Sequence, residues 1–304
     1  MTSAVPVAPM ACRRLIRLLV IALLAAGPLA VVARPAEAAS ADLTFLQFNM
    51  CGQACGTHMT IVTDLENSIN GRSPQPFVVT LNEVCRSQYD KLYVDLLPYY
   101  GHFEPTVAGR CWDGSDYGIA ILLRTSSFSH LGSWPLPNPG GGEPRKMSCL
   151  QTNVSGASQP LVACVTHIDT NSSNIASQIS AVAGRAHGFW ADHKVLVGGD
   201  FNTTPDSSAL SPMYSTLHSG GTGVFNEADS GDFSRGGGGA GSTYNEYTGG
   251  CQHRPCGCRA NDWKTLRKVD YIFLSRYDFT SYSADATYAL HSDHTPLWAT
   301  AVIT

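Results

Sequence analysis

Between Lys194 and Asn202 the chain reads KVLVGGDFN. The apolar run Val195, Leu196 and Val197 predicts a buried strand, two glycines (Gly198, Gly199) let the backbone turn closely, and Asp200 and Asn202 emerge at the strand's end. Alternation through Phe201 points the two polar side chains the same way. A carboxylate beside an amide at a strand terminus suits a place where a hard cation or an attacking water is held. Alone, the motif is an ordinary polar loop. Its weight comes from repetition, because short buried β runs stopping at polar groups recur along the chain with helical stretches between them. That alternation predicts a mixed α/β domain.

Residues 1–39 are set aside as a leader, leaving 40–304 as one domain. Arg13, Arg14 and Arg17 precede an apolar run from Leu18 to about Val32, and small residues follow at Ala36 to Ala39, the three-part layout of a secretory signal peptide. The uninterrupted apolar part falls short of the ~20 residues a spanning helix needs. It also holds Gly27 and Pro28, which favours cleavage over anchoring. Arg13-Arg14 brings twin-arginine export to mind, but the residues after it fit that signal poorly. Removing four arginines and Glu37 with the leader takes the formal charge from −4 to near −7. With no dense basic stretch left, a protein that holds nucleic acid by charge alone is excluded. The remaining length, about 265 residues, fits a single large domain, and no linker or repeat divides it.

Nine cysteines survive processing, an odd number that in an exported chain predicts disulfides and one thiol left over. A hairpin of 145–154 with 160–167, turning at Ser155 to Ser158, would set Cys149 opposite Cys164. Cys51 and Cys55 are close enough to close a small loop, and Cys85 with Cys111 is a further candidate pair. Cys251, His253, Cys256 and Cys258 mimic a zinc knuckle, but export and the lack of paired Cys-x-x-Cys spacing favour disulfides there.

In chain order, Leu43 to Phe48 alternates like a strand and ends at Asn49. A helix is expected from His58 to Asn70, then a strand, Phe77 to Leu81, ending in Asn82 and Glu83, then a helix from Ser87 to Leu97. A carboxylate directly after a buried β run must be solvated, paired or bound to metal, or serve the first turn of the following helix. Asp116 and Tyr117 lead into a strand, IAILLR, and a Pro/Gly-rich excursion from Pro135 to Pro144 precedes a strand from Arg145 to Val154. Leu161 to Val165 runs into His167 and Asp169, and a helix from Ser173 to His187 returns the chain to KVLVGGDFN. Asn202-Thr203-Thr204 matches a glycosylation sequon, which its overlap with the motif discounts. A long loop-rich excursion follows, with Gly236 to Gly239, Tyr244, Tyr247 and Trp263. Lys268 to Leu274 is a strand carrying Asp270, an aspartate that needs a partner there. Asp293 and His294 precede a last strand, Trp298 to Ile303.

Each of these polar residues has an ordinary structural reading by itself. Together, Asn49, Glu83, His167, Asp200, Asn202, Asp270, Asp293 and His294 supply oxygen ligands for a hard cation, amides to orient phosphate and water, and imidazoles to move protons. That inventory is what phosphodiester hydrolysis requires. The strings QFNMCG, TLNEV, YGIAILLR, VTHID, GGDFN, KVDYIFLS and SDHTPL, in this order over residues 43–302, resemble the successive motifs of the endonuclease/exonuclease/phosphatase superfamily, the deoxyribonuclease I-like fold. The resemblance implies a four-layer sandwich, two packed mixed β-sheets flanked by helices, with the site at one end. It implies that Glu83 ligates Mg²⁺ with Asn49 and Asp293, with Mn²⁺ or Ca²⁺ as alternatives. Asp200 would orient or activate water and Asn202 would contact the scissile phosphate. His294, held by Asp270, and His167 would flank that phosphate, with Arg145 as a further phosphate contact and Asp116 as the candidate to orient His167. The expected enzyme is a secreted monomer with no stable protein partner, cleaving DNA or RNA. Alternatives are a sphingomyelinase-like phospholipase touching lipid through Trp134 and Leu136, a small-molecule phosphatase, and a non-catalytic binding protein on the same scaffold.

Overall fold

The computed structural model describes residues 40–228, 268–285 and 290–304. The leader, the loop-rich excursion with its glycines and aromatics, and the Cys251 to Cys258 cluster lie outside the described residues.

Twelve strands and three α-helices are described: β1 (Ala41–Asn49), α1 (His58–Gly71), β2 (Val78–Cys85), α2 (Arg86–Asp95), β3 (Tyr100–Val107), β4 (Tyr117–Leu123), β5 (Phe128–Pro135), β6 (Lys146–Thr152), β7 (Leu161–His167), α3 (Ser172–Trp190), β8 (Lys194–Asp200), β9 (Phe225–Glu227), β10 (Asp270–Ser275), β11 (Phe279–Asp285) and β12 (Leu297–Ile303). They build two six-stranded mixed sheets, ordered β11-β12-β1-β2-β4-β3 and β5-β6-β7-β8-β10-β9. Each sheet has a parallel pair at its centre, β1 with β2 and β7 with β8, and α1 or α3 lies in the connection between its members. Parallel neighbours need such a crossover, and an amphipathic helix supplies it.

Alternation along the central strands makes the layers. Phe45, Val78, Ile119 and Ile121 of the first sheet pack with Ala163, Val165, Leu196 and Ile272 of the second to form the core between the sheets. Their chain neighbours point outward: Leu46, Phe48, Val79 and Leu81 meet Ile61, Val62 and Leu65 of α1 and Leu92 of α2. Val162, Val195 and Val197 meet Ile179, Val182 and Ala186 of α3. The result is the expected four-layer sandwich.

Gly198 and Gly199 have a different job from the turn the sequence suggested. Both lie inside β8, and a Cβ on Gly198 would sit 2.1 Å from Thr80 Oγ1, while one on Gly199 would sit 2.3 Å from the Thr166 carbonyl. The glycines therefore let β8 approach the facing sheet and its own neighbour closely.

Three disulfides form among the described residues: Cys51–Cys55, Cys85–Cys111 and Cys149–Cys164. Cys149 and Cys164 are direct cross-strand partners on β6 and β7, as the hairpin register required. Cys85–Cys111 closes a span of 26 residues and ties the β3–β4 loop to the end of β2. A span of that size restricts the unfolded chain by about 3.5 kcal/mol on the chain-entropy estimate. The double variant Cys85→Ser/Cys111→Ser is expected to lose about 2–4 kcal/mol in urea unfolding. An unchanged midpoint would mean that this loop is ordered by something other than the bond.

Candidate active site

The pairing register gathers the polar strand ends at one end of the sandwich. Asn49 is level with Asn82 on the parallel β1–β2 pair, and His167 is level with Asp200 on β7–β8. Asp270 opens β10 directly opposite Asp200. Asp293 and His294 precede β12, and Ser292 Oγ ties that loop to the Asn49 carbonyl at 2.8 Å. Glu83 owes its position to an irregularity: the β2–β4 register shifts between Leu81 and Val84, and Glu83 adopts φ 54°. A left-handed φ on a non-glycine residue is costly and persists where the surroundings dictate it.

Asp200 is the hub. It is 1% exposed, its Oδ2 accepts from Asn49 Nδ2 at 3.1 Å, and its Oδ1 accepts from the Asn202 amide at 2.9 Å. His167 Nε2 lies 3.5 Å from Asp200 Oδ2 and His294 Nε2 lies 3.7 Å from the same oxygen. Burial alone would raise the pKa of Asp200. The His167 hydrogen bond, the charges of His294 and His167, and the Asn202 amide outweigh it and bring the pKa down to about 2. Asp200 is thus a firmly ionised acceptor, suited to orienting a water and poorly suited to keeping its proton.

The two histidines have different partners. His294 Nδ1 meets Asp270 Oδ2 at 2.7 Å. Burial opposes the charged imidazole, but Asp270, Asp200 and Asp293 around it raise its pKa well above the ordinary value. Burial likewise pushes Asp270 up to about 6, against the pull of His294. The pair stands as imidazolium and carboxylate at neutral pH. His167 instead faces Arg145 Nη1 with its Nδ1. A guanidinium can only donate, so Nδ1 is the acceptor in that contact and the ring's other nitrogen, Nε2, faces Asp200. Asn202, at φ 47°, donates its Nδ2 to the Ile168 carbonyl at 2.8 Å and brings the same atom within 3.4 Å of His167 Nε2.

On the other side of Asp200, Asn49 Nδ2 also donates to Glu83 Oε1 at 3.1 Å, and Asn49 Oδ1 accepts from the Cys51 amide. Asp293 is raised by burial and by the neighbouring charges of Glu83 and Asp200, against the pull of His294. Among the described residues no lysine or arginine pairs with Glu83 or Asp293. Mutually repelling carboxylates with no lysine or arginine partner fit a divalent cation held by oxygen ligands. Two other groupings of ligand-type atoms are poorer places for one. Cys51 and Cys55 near Asp293 are oxidised to a disulfide, and Asp200, Asp270 and His294 already satisfy one another.

Several supporting residues escaped the sequence reading. Gln47 Nε2 donates to Asn82 Oδ1 at 2.6 Å and to Asp270 Oδ1 at 3.2 Å, while Gln47 Oε1 accepts from Thr80 at 2.6 Å. Asn82 Oδ1 also takes the Asp200 amide at 2.9 Å, and Asn82 Nδ2 donates to the Thr166 carbonyl at 2.8 Å. This buried polar layer cross-links the sheets beneath the site and leaves its amides paired. Burial, together with the nearby Glu83 carboxylate, holds the pKa of Tyr117 far above the usual value. Asp116 does not orient His167: its carboxylate takes the Gly109 amide at 3.0 Å, and Arg145 fills the place expected of it.

No curated protein matches the chain. Solved structures do resemble it. They include the endonuclease/exonuclease/phosphatase from Bacteroides vulgatus, at 17% identity and TM-score 0.62 over 87% of this chain and 100% of that one. D. rerio TDP2 complexed with single strand DNA product matches at 17% and 0.61, again over 87% and 100%. The mannosyl-6-phosphatase of Bacteroides thetaiotaomicron matches at 14% and 0.62, over 85% and 99%. Identities this low speak for the fold. The family described as Endonuclease/Exonuclease/phosphatase matches in sequence over residues 46–294, a span that begins within β1 and ends on His294. On that match the chain belongs to the endonuclease/exonuclease/phosphatase family and, with it, to the metal-dependent phosphoric ester hydrolases.

Proposed function

We propose that the protein is a secreted Mg²⁺-dependent phosphodiesterase that cleaves DNA. The observation that carries the reading is the pair of imidazoles on either side of one ionised aspartate, one held by Arg145 and the other by Asp270. Asp200 accepts a hydrogen bond from water and aligns it on phosphorus. His167 Nε2 and the Asn202 side-chain amide face the non-bridging oxygens, with Arg145 behind His167 holding its Nδ1. The His294 imidazolium, held by Asp270, meets the negative charge that develops on the phosphoryl group and carries the proton available for transfer. Glu83, Asn49 and Asp293 would hold the cation, and Tyr117 would orient Glu83. When bound, Mg²⁺ supplies Lewis-acid stabilisation of the phosphoryl and leaving oxygens.

Three disulfides among the described residues support an oxidising destination, and no described helix is long and apolar enough to cross a membrane. The phospholipase alternative loses its lipid-touching hairpin. Leu136 is buried, and Trp134 packs under Arg185 and beside Phe189 of α3. Incubating residues 40–304 with plasmid DNA, RNA and sphingomyelin vesicles, each with Mg²⁺ and with chelator, decides among substrates. The expected result is nicking of DNA that chelator abolishes. Turnover of sphingomyelin alone, or of none of the three, would refute the proposal.

A further inference from the structure

Beside the catalytic cluster, one carboxylate of the chain lies between two arginines contributed by different sheets. Arg110 belongs to the β3–β4 loop of the first sheet, while Arg145 leads into β6 of the second. Glu143, in the 136–145 loop, accepts from Arg110 through Oε2, and its Oε1 lies 3.0 Å from Arg145 Nη1. Both arginines border the catalytic pocket. The Arg110 guanidinium stacks 4.9 Å from the ring of Tyr117, whose pKa the nearby Glu83 carboxylate raises, and Arg145 Nη1 also meets His167.

Two observations mark this as a ligand site and not merely a structural ion pair. Arg145 is 8% exposed, yet its Nε–H has no hydrogen-bond partner among the described residues, and Glu143 Oε1 makes no well-directed hydrogen bond either. A buried guanidinium donor left over is costly, and a tetrahedral oxyanion with several lone pairs is the natural acceptor for such a fork. Moreover, the Arg110 side chain is 43% exposed, so its bond to Glu143 is solvated and readily exchanged.

We propose that Arg110 and Arg145 form a subsite for a second phosphate of the substrate, the one flanking the scissile bond in a polynucleotide. Glu143 fills that subsite as an internal anion until the substrate displaces it. A substrate with one phosphate cannot both react and displace Glu143, so the device selects polyanions. The inference rests on the phosphodiesterase reading above, but the anion site can be measured without turnover.

Calorimetric binding of inorganic phosphate to the metal-free protein is the first test. Glu143→Gln is expected to tighten binding by about ten-fold, the scale of one freed charge-assisted contact. Adding Arg110→Gln should remove the gain. Asp113→Asn deletes the same charge from the Arg110 loop and should change affinity by less than about two-fold. The second test compares dithymidine monophosphate with its 5′- and 3′-phosphorylated forms. A phosphorylated form should be preferred in kcat/KM, more strongly in Glu143→Gln and not at all in Arg110→Gln. Phosphate binding indifferent to Glu143→Gln and Arg110→Gln overturns the subsite. Phosphate binding that follows the expected order while no diester is cleaved leaves the subsite standing and removes the phosphodiesterase reading.

Discussion

His294→Ala is expected to lower kcat for phosphodiester cleavage by about 10³-fold, within the range contributed by a positioned acid or base. His294 Nε2 lies 3.7 Å from Asp200, and Asp270 with two other acidic neighbours, Asp200 and Asp293, keeps it protonated. Its contribution should appear in the transition state, so kcat and kcat/KM should fall together. The fold should survive. Asp270 would lose its imidazole but retain the Gln47 amide, and a carboxyl already raised toward neutrality can take up a proton when its counter-charge goes. Circular dichroism and a cooperative melt within a few degrees of the parent would establish this. A folded, metal-loaded variant working at nearly the parent rate would remove His294 from the mechanism.

The second large effect concerns the cation. Saturating Mg²⁺ at about 100 times its Kd should stabilise the native state by about 2.7 kcal/mol. For a domain of this size that corresponds to a rise in Tm of roughly 5–10 °C. Glu83→Gln should abolish the rise and reduce cleavage to background, because the carboxylate that faces Asp293 with no lysine or arginine partner becomes an amide. Asp270→Asn should leave the Mg²⁺-dependent rise in place, since Asp270 is occupied by His294 and Gln47. The opposite pattern, with the rise lost on Asp270→Asn and kept on Glu83→Gln, would move the cation to the Asp200, Asp270 and His294 group.

The fold was legible where strands are buried on both faces. β1, β2, β4, β6, β7, β8, β10 and β12 read as apolar runs and lie within the two sheets. The four strands that were not read, β3, β5, β9 and β11, are the four sheet edges. Only one residue each of β3 and β11 is buried, and none of β5 is, so their composition is set by water and by the need to discourage edge pairing. Pro105 within β3 and Gly132 at a register shift in β5 further masked them.

The site was legible as a set of residue types and illegible as a network. All eight polar positions converge, because a strand-terminal polar residue leaves a local mark in the sequence. Gln47 left a fainter one: it is polar on the inward face of β1, two residues from Asn49, and that mismatch with Phe45 was the available signal. Glu83 could not be aimed from sequence, since its direction depends on a bulge and a left-handed backbone. Nor could the roles of the histidines, which rest on Arg145 lying against one and Asp270 against the other. Those contacts join segments far apart in the chain.

A crystal of residues 40–304 soaked in Mn²⁺ and inorganic phosphate, with the ion located by anomalous scattering, tests the whole arrangement at once. The prediction is one ion bound by a Glu83 oxygen at roughly 2.0–2.3 Å, phosphate against His167 and Asn202, and the His294–Asp270 contact undisturbed. An ion seated between Asp200 and Asp270 with His294 as its ligand would contradict the division of labour between cation and imidazole.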